Sequence, residues 1–196
     1  VSHFQQALEL ARSAGNRRRE IWALGIGARG VLLAGRPNTA RDWLIQCLDL
    51  CDDIRWLAFR PWAVALLAEV RLALHEVSNS TQNDLEEALA LSNQLGDPCW
   101  QASTARSIAL VQIDAKNYSE AGKWLAHSRE RCCSVTDLYA GLLVEILADQ
   151  VRLSQLCGDD QSAASLARDL LPVVAKTHAD GHLDFAMSAL TGTKSS

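Results

Sequence analysis

Two close pairs of cysteines carry the chain's most reactive side-chain chemistry. Cys47 and Cys51 are four residues apart, and Cys132 and Cys133 are adjacent. Either pair could exchange electrons or hold a thiophilic metal. However, adjacent cysteines close a strained ring, and an i,i+4 pair on a helix is too far apart to bridge easily. Cys99 and Cys157 complete the six, with no regular framework spacing. Buried, reduced thiols acting as small hydrophobes are the expected reading. His178 and His182 are also four apart, with Asp180 and Asp184 interleaved, but Gly181 interrupts them and no H-E-x-x-H pattern exists. A polar turn is therefore expected there rather than a metal site. His3, His75 and His127 are scattered at helix surfaces or ends. "GIGARG" from Gly25 looks like a glycine-rich loop but follows no strand, and no G-x-x-x-x-G-K-[ST] motif occurs, so no nucleotide cofactor is expected. No catalytic constellation, metal or cofactor is assigned.

The remaining candidates are cationic and aromatic. Arg29, Glu69, Arg71, Arg106, Gln112, Glu145 and Arg152 interrupt apolar stretches. Arg71, Gln112 and Arg152 fall on one recurring row. A guanidinium grips a carboxylate in a two-pronged fork, so such a stripe would suit an acidic peptide or a small anionic effector. Trp62 and Trp100, with Trp56, fall near helix starts, where ligand contact is expected. Trp43 and Trp124 are expected to pack between helices. The candidate binding set is Arg29, Trp62, Arg71, Trp100, Arg106, Gln112 and Arg152.

The elements that position these residues follow a period. "NTARDWLIQCLDL" and "NYSEAGKWLAHSRE" match at an interval of 81, with Ala40, Trp43 and Leu44 answering Ala121, Trp124 and Leu125. That interval is two steps of about 40. Anchors at Phe4, Leu44, Leu85, Leu125 and Leu166 follow it, and small residues at Ala7, Cys47 and Ala88 let helices approach closely. A fixed period of this length marks a repeat architecture. Apolar residues at helical spacing predict two helices per unit. First helices are expected at Arg19–Ala34, Leu57–Val77, Trp100–Lys116 and Asp137–Leu156. Second helices are expected at Ser2–Ala14, Thr39–Asp52, Asn83–Leu95, Ser119–Arg131 and Gln161–Ala179. Turn residues at Gly15, Gly35, Ser78, Gly96, Lys116 and Gly158 separate them.

The fold class is thus all-α: a right-handed α-solenoid, or superhelix, of antiparallel helix pairs with a repeat of about 40 residues. One domain is expected over 1–190, of about five pairs with the first and last incomplete, and a disordered tail over 191–196. A hydrophobic content of 48 %, a net charge of −4 and a pI near 5.7 suit a globular chain that does not bind nucleic acid. No apolar run is long enough to span a membrane. The first residues already read as helix, without the regions of a signal peptide. A cytoplasmic segment of a longer protein is expected.

The spacing small-x-x-x-large-x-x-small at Ala40–Leu44–Cys47, Thr81–Leu85–Ala88 and Ala121–Leu125–Ser128 resembles the second helix of tetratricopeptide-like (TPR-like) repeats. "IWALGIGARG" echoes the first. The 40-residue unit and phrases such as "EEALALSNQLGD" and "QQALELARSAGN" look like the C-terminal superhelical sensor region of bacterial signal-transducing ATPases and LuxR-type transcriptional regulators. The resemblance implies a non-enzymatic segment that binds a protein, peptide or effector and signals to an ATPase module outside this chain. The alternative is a free-standing scaffold that binds a partner's peptide segment. Self-association through the apolar end faces of the solenoid is a further expectation.

Overall fold

The computed structural model describes residues 2–136 and 139–191. They form ten α-helices and no strand: α1 Ser2–Ser13, α2 Arg17–Leu33, α3 Pro37–Asp53, α4 Arg60–Ala73, α5 Asn79–Leu95, α6 Pro98–Asp114, α7 Tyr118–Cys133, α8 Ala140–Leu156, α9 Asp160–Thr177 and α10 Leu183–Thr191. Short 3-10 turns at Leu57–Phe59 and Asp180–His182 lead into α4 and α10. The helices gather into two compact units, Val1–Gly96 and Asp97–Ser196. The expected helices are all present within a few residues at their ends, and α10 is an additional one. The expected helix start at Asp137 lies outside the described residues. Of the expected tail, Thr191 closes α10, and 192–196 lie outside the described residues.

The period has a local cause. Helices α2, α3, α5, α6 and α8 are each 17 residues long. A turn of about three residues follows most of them, so a half-unit is about 20 residues and a pair about 40. Each of these turns is closed by a residue in the left-handed region, at Gly15, Gly35, Arg55, His75, Gly96, Lys116, Gly158 and His178. At six helix ends the full Schellman pair of bonds forms around that residue. For example, the Gly35 N–H donates to Leu32 O at 2.9 Å and the Arg36 N–H donates to Val31 O at 3.1 Å. These bonds satisfy helix carbonyls that lack an intrahelical partner. The next residue then starts the following helix. Asn16 accepts from the Arg19 N–H, Asp97 from Cys99 and Trp100, and Asp159 from Ser162. Hydrogen bonding with the Ser162 side chain, and then with its N–H, also holds the Asp159 carboxyl below the usual carboxylate range.

Neighbouring helices within a unit run antiparallel. The Cys47 thiol on α3 donates to Ile21 O on α2, and the Ser128 hydroxyl on α7 donates to Ala102 O on α6. Both members of one bond stand 81 residues from their counterparts, so the repeated phrase corresponds to a repeated contact. The buried stripe is Ala40–Leu44–Cys47–Cys51 in α3 and Ala121–Leu125–Ser128–Cys132 in α7. In α9 the stripe is Ala163–Ala167–Leu170–Val174. This corrects the anchor expected at Leu166, which is half-buried: the fifth copy runs one residue later. Ala7 is likewise exposed, and in α1 the buried small residue is Ala11.

Candidate functional site

Seams between successive even-numbered helices differ between the two units, and they hold three of the seven candidate residues, Trp62, Arg106 and Arg152. In the first unit, α2 faces α4 through glycine. A Cβ on Gly25 would stand 2.7 Å from Phe59 and 2.9 Å from Trp62, so only glycine admits these rings without a shift. Trp22 and Trp62 tilt against Phe59 with centroids 4.9 and 5.1 Å away, and Trp56 stacks on it at 5.7 Å. The guanidinium of Arg18 lies over Trp56, 5.4 Å from its centroid. Phe59 is buried, whereas Trp22 is 45 % exposed and Leu57, in the same 3-10 turn as Phe59, is exposed too. The result is an aromatic patch with a buried floor, a partly open surface and a cation on its face. Offset and tilted ring contacts of this kind stabilise beyond their buried area. On α2, Gly27 and Gly30 admit the rings of Trp43 and Phe4. "GIGARG" is thus a packing surface for aromatic rings.

In the second unit the position 81 residues after Gly25 is Arg106, and the seam of α6 with α8 is ionic. The Arg106 Nε donates to Asp149 Oδ2 at 2.6 Å, and its Nη1 lies 3.2 Å from Glu145 Oε2. Arg152 donates to the other Asp149 oxygen at 3.2 Å and stacks over Phe185 of α10 at 5.2 Å. Asp149 is 1 % exposed, and Arg106 is also buried. Arg106, Arg152, Glu145 and Asp149 therefore share one ionic network.

The structure brings Arg106 and Arg152 together on Asp149 and places Trp62 in the aromatic patch. Arg71 donates to Asp84 of α5 at 2.6 Å and borders a cleft of about 260 Å³ between α3, α4 and α5. Gln112 accepts from Asn117 at 3.0 Å. Arg29 is half-buried on α2, and Trp100 is half-buried in the first turn of α6. Sequence reasoning missed Asp149, Trp22, Phe59 and Arg18 as site residues. A signal for Asp149 existed: it stands four after Glu145 and three before Arg152 in an apolar helix, the spacing that puts charges on one face.

Three of the six thiols, Cys47, Cys51 and Cys132, are buried. Cys47 is held protonated by its hydrogen bond with Cys51 and by burial. Burial, aided by Cys133 and Cys99, pushes Cys132 up to about 12. Since the thiolate is the reactive form, these two cysteines are poor nucleophiles. Cys133 and Cys157 are exposed. His178 ends α9 and His182 lies in the 3-10 turn, so the two histidines share no helix.

No protein-family model matches the sequence, and neither does any curated protein. Solved structures do resemble it. One is BtubC (BKLC) from P. vanneervenii, with a TM-score of 0.64 and 14 % identity over 90 % of this chain and 75 % of that one. Another contains the nearly identical TPR-like repeats of a kinesin light chain-like protein from Podosopora anserina. It has a TM-score of 0.58 and 16 % identity over 88 % of this chain and 92 % of that one. At such identity the likeness speaks for the fold alone, and the fold of this chain is that of TPR-like helical repeats.

Proposed function

We propose that this chain is a non-enzymatic protein-interaction module whose α2–α4 seam receives an apolar, acidic segment of a partner protein. The observation that carries this is the partly open aromatic patch of Trp22, Trp56 and Trp62 over buried Phe59, with Arg18 on its face. Tryptophan and arginine are the side chains that most often dominate binding energy at protein interfaces. The basic run Arg17–Arg19 beside the patch supplies complementary charge for carboxylates on the partner. A small anionic effector gripped by Arg106 and Arg152 has less support, because Glu145 and Asp149 already match both cations.

The finer reading sets this module in a larger bacterial, cytoplasmic regulatory protein. There, ligand binding would shift an ATPase module outside this chain by favouring one of its states. Its support is the 40-residue repeat and the sequence phrases that resemble such regulators.

A display library of acidic and apolar peptides, read by fluorescence titration, tests the proposal. Trp56→Ala and Arg18→Ala should each weaken the selected peptides by about thirtyfold or more, the threshold for an interface hot spot. Peptides that bind both variants as tightly as the parent would sink the proposal. A metabolite that raises the melting temperature only while Arg152 is present would move the reading to effector sensing.

A further inference from the structure

Corresponding corners of the two units are built differently. In the first unit α3 ends beside the start of α4, where Arg60 donates to both oxygens of Asp52 at 2.7 and 2.9 Å. Helices α3, α4 and α5 are answered in the second unit by α7, α8 and α9. The offset is 81 for α3, where buried Ala40, Leu44 and Cys51 answer buried Ala121, Leu125 and Cys132. It is 83 for α4, where Ala63, Ala65 and Val70 answer Ile146, Ala148 and Leu153. It is 82 for α5, where Thr81, Leu85 and Ser92 answer Ala163, Ala167 and Val174. Asp52 is therefore answered by Cys133, Arg60 by Leu143 and Gln94 by Lys176. A thiol and a leucine cannot form the ion pair that closes the first corner. At the second corner a cavity of about 320 Å³ opens between the end of α7, the start of α8 and the last turns of α9.

The chemistry of this cavity is one-sided. Val135, Ala140 and Leu143 line it from the α7–α8 side, and Pro172 and Val173 from α9. Polar groups among these walls have little to offer. The Cys132 thiol is spent on Tyr139 O at 3.6 Å, and Pro172 has no N–H to donate. Walls of this kind take an apolar body. Charge enters at the rim, where Lys176 follows Pro172 by one helical turn and is exposed. Among the described residues it is the charged side chain of the lining, so a ligand that carries charge should carry a negative one. The volume falls at the small end of the range for small-molecule sites, about 300–1,000 Å³.

We propose that this corner binds a small carboxylic acid with a hydrocarbon body. The body lies against Leu143 and Val173, and the carboxylate stays at the rim beside Lys176. A carboxylate held there keeps much of its water, whereas one buried among these walls would lose it at high cost. Lys176 has contacts of its own, but the ion pairs of an exposed lysine are weak, so a ligand can share it. The site lies wholly within the second unit. It has no residue in common with the aromatic patch and does not rest on the partner-segment reading.

Two exposed thiols provide the test. Cys133 lines the cavity, whereas Cys157 caps the far end of α8 and does not. Alkylation of the 196-residue chain by iodoacetamide, read at each cysteine by mass spectrometry, reports occupancy with an internal reference. Sodium octanoate should slow the labelling of Cys133 saturably and leave Cys157 unchanged. Octanol, the same body without the charge, should need about two to five times the concentration, the worth of an exposed ion pair. Lys176→Met should erase that difference. Ala140→Phe fills the cavity and should abolish protection, and Val173→Phe repeats this arm should the first variant lose its helical signal. Cys133 labelling that octanoate leaves unchanged, or slows no more than that of Cys157, would overturn the proposal. So would protection that survives both filling variants. Octylammonium protecting as well as octanoate would overturn the assignment to a carboxylic acid.

Discussion

Gly25 and Arg106 occupy matching positions on α2 and α6 but make opposite contacts: aromatic rings close on the glycine, and two carboxylates close on the arginine. Sequence reading singled out Arg71, Arg106 and Arg152 because each interrupts an apolar helix, and it took them for ligand-binding groups. What it lacked was the partners of Arg71 and Arg106. Asp84 is 13 residues from Arg71, and Asp149 is 43 from Arg106. Neither spacing lies on one helix face, so the pairing became visible only once the helices were set side by side. For the buried pair the energetics are asymmetric. Two desolvated charges that match stabilise little over an apolar pair, but removing one leaves the other buried and unmatched. Asp149→Asn should therefore destabilise the chain by about 3 kcal/mol, the lower end for such a loss because Glu145 remains beside Arg106. In calorimetry that is a fall in melting temperature of roughly 6–12 °C for a chain of this size. Replacing Arg106 and Asp149 together by Met and Leu should recover much of the loss. An unchanged melting temperature in Asp149→Asn would show that the network contributes nothing.

At the level of the helix, nearly everything was legible, because the information is local. Gly15, Gly35, Gly96 and Gly158 announce left-handed helix ends, and Asn16, Asp97 and Asp159 announce the caps that follow. Three features were not. Arg55, His75 and His178 take the same left-handed conformation without glycine, so composition gives no warning of them. The fifth copy slips by one residue because Ala167, with Ala163 four before it, takes the place of the expected Leu166. Helix α10 has only 9 residues and follows a polar turn, too short a run for its periodicity to stand out. Left-handed backbone costs a non-glycine residue about 1–2 kcal/mol. Lys116→Gly should accordingly raise stability by about 1 kcal/mol, and Gly35→Ala, its 81-residue counterpart, should lower it by a similar amount. Thermal melts of the two variants should move in opposite directions by about 2–4 °C. Shifts of the same sign would mean that the turns are not held by the left-handed residue.

For the molecule as a whole, a repeat chain distributes its stability among neighbouring elements, with no single dominating core. Its buried clusters are accordingly local. Val144, Leu147, Leu170, Val174 and Ala186 join α8, α9 and α10, while Ala109, Ala121, Leu125 and Leu153 join α6, α7 and α8. A lesion in one seam should therefore be felt first by the helices that meet there. Hydrogen exchange read by mass spectrometry gives each helix its own opening free energy. Gly25→Ala forces a methyl against Phe59 and Trp62, a strain of about 1–3 kcal/mol for overpacking, which exceeds the helix preference gained. It should speed exchange in α2 and α4 before other helices, whereas Asp149→Asn should act first on α6, α8 and α10. Equal loss of protection in all ten helices from either change would show that the chain opens as one cooperative body. In that case the internal repeat would describe how the fold is built and not how its stability is distributed.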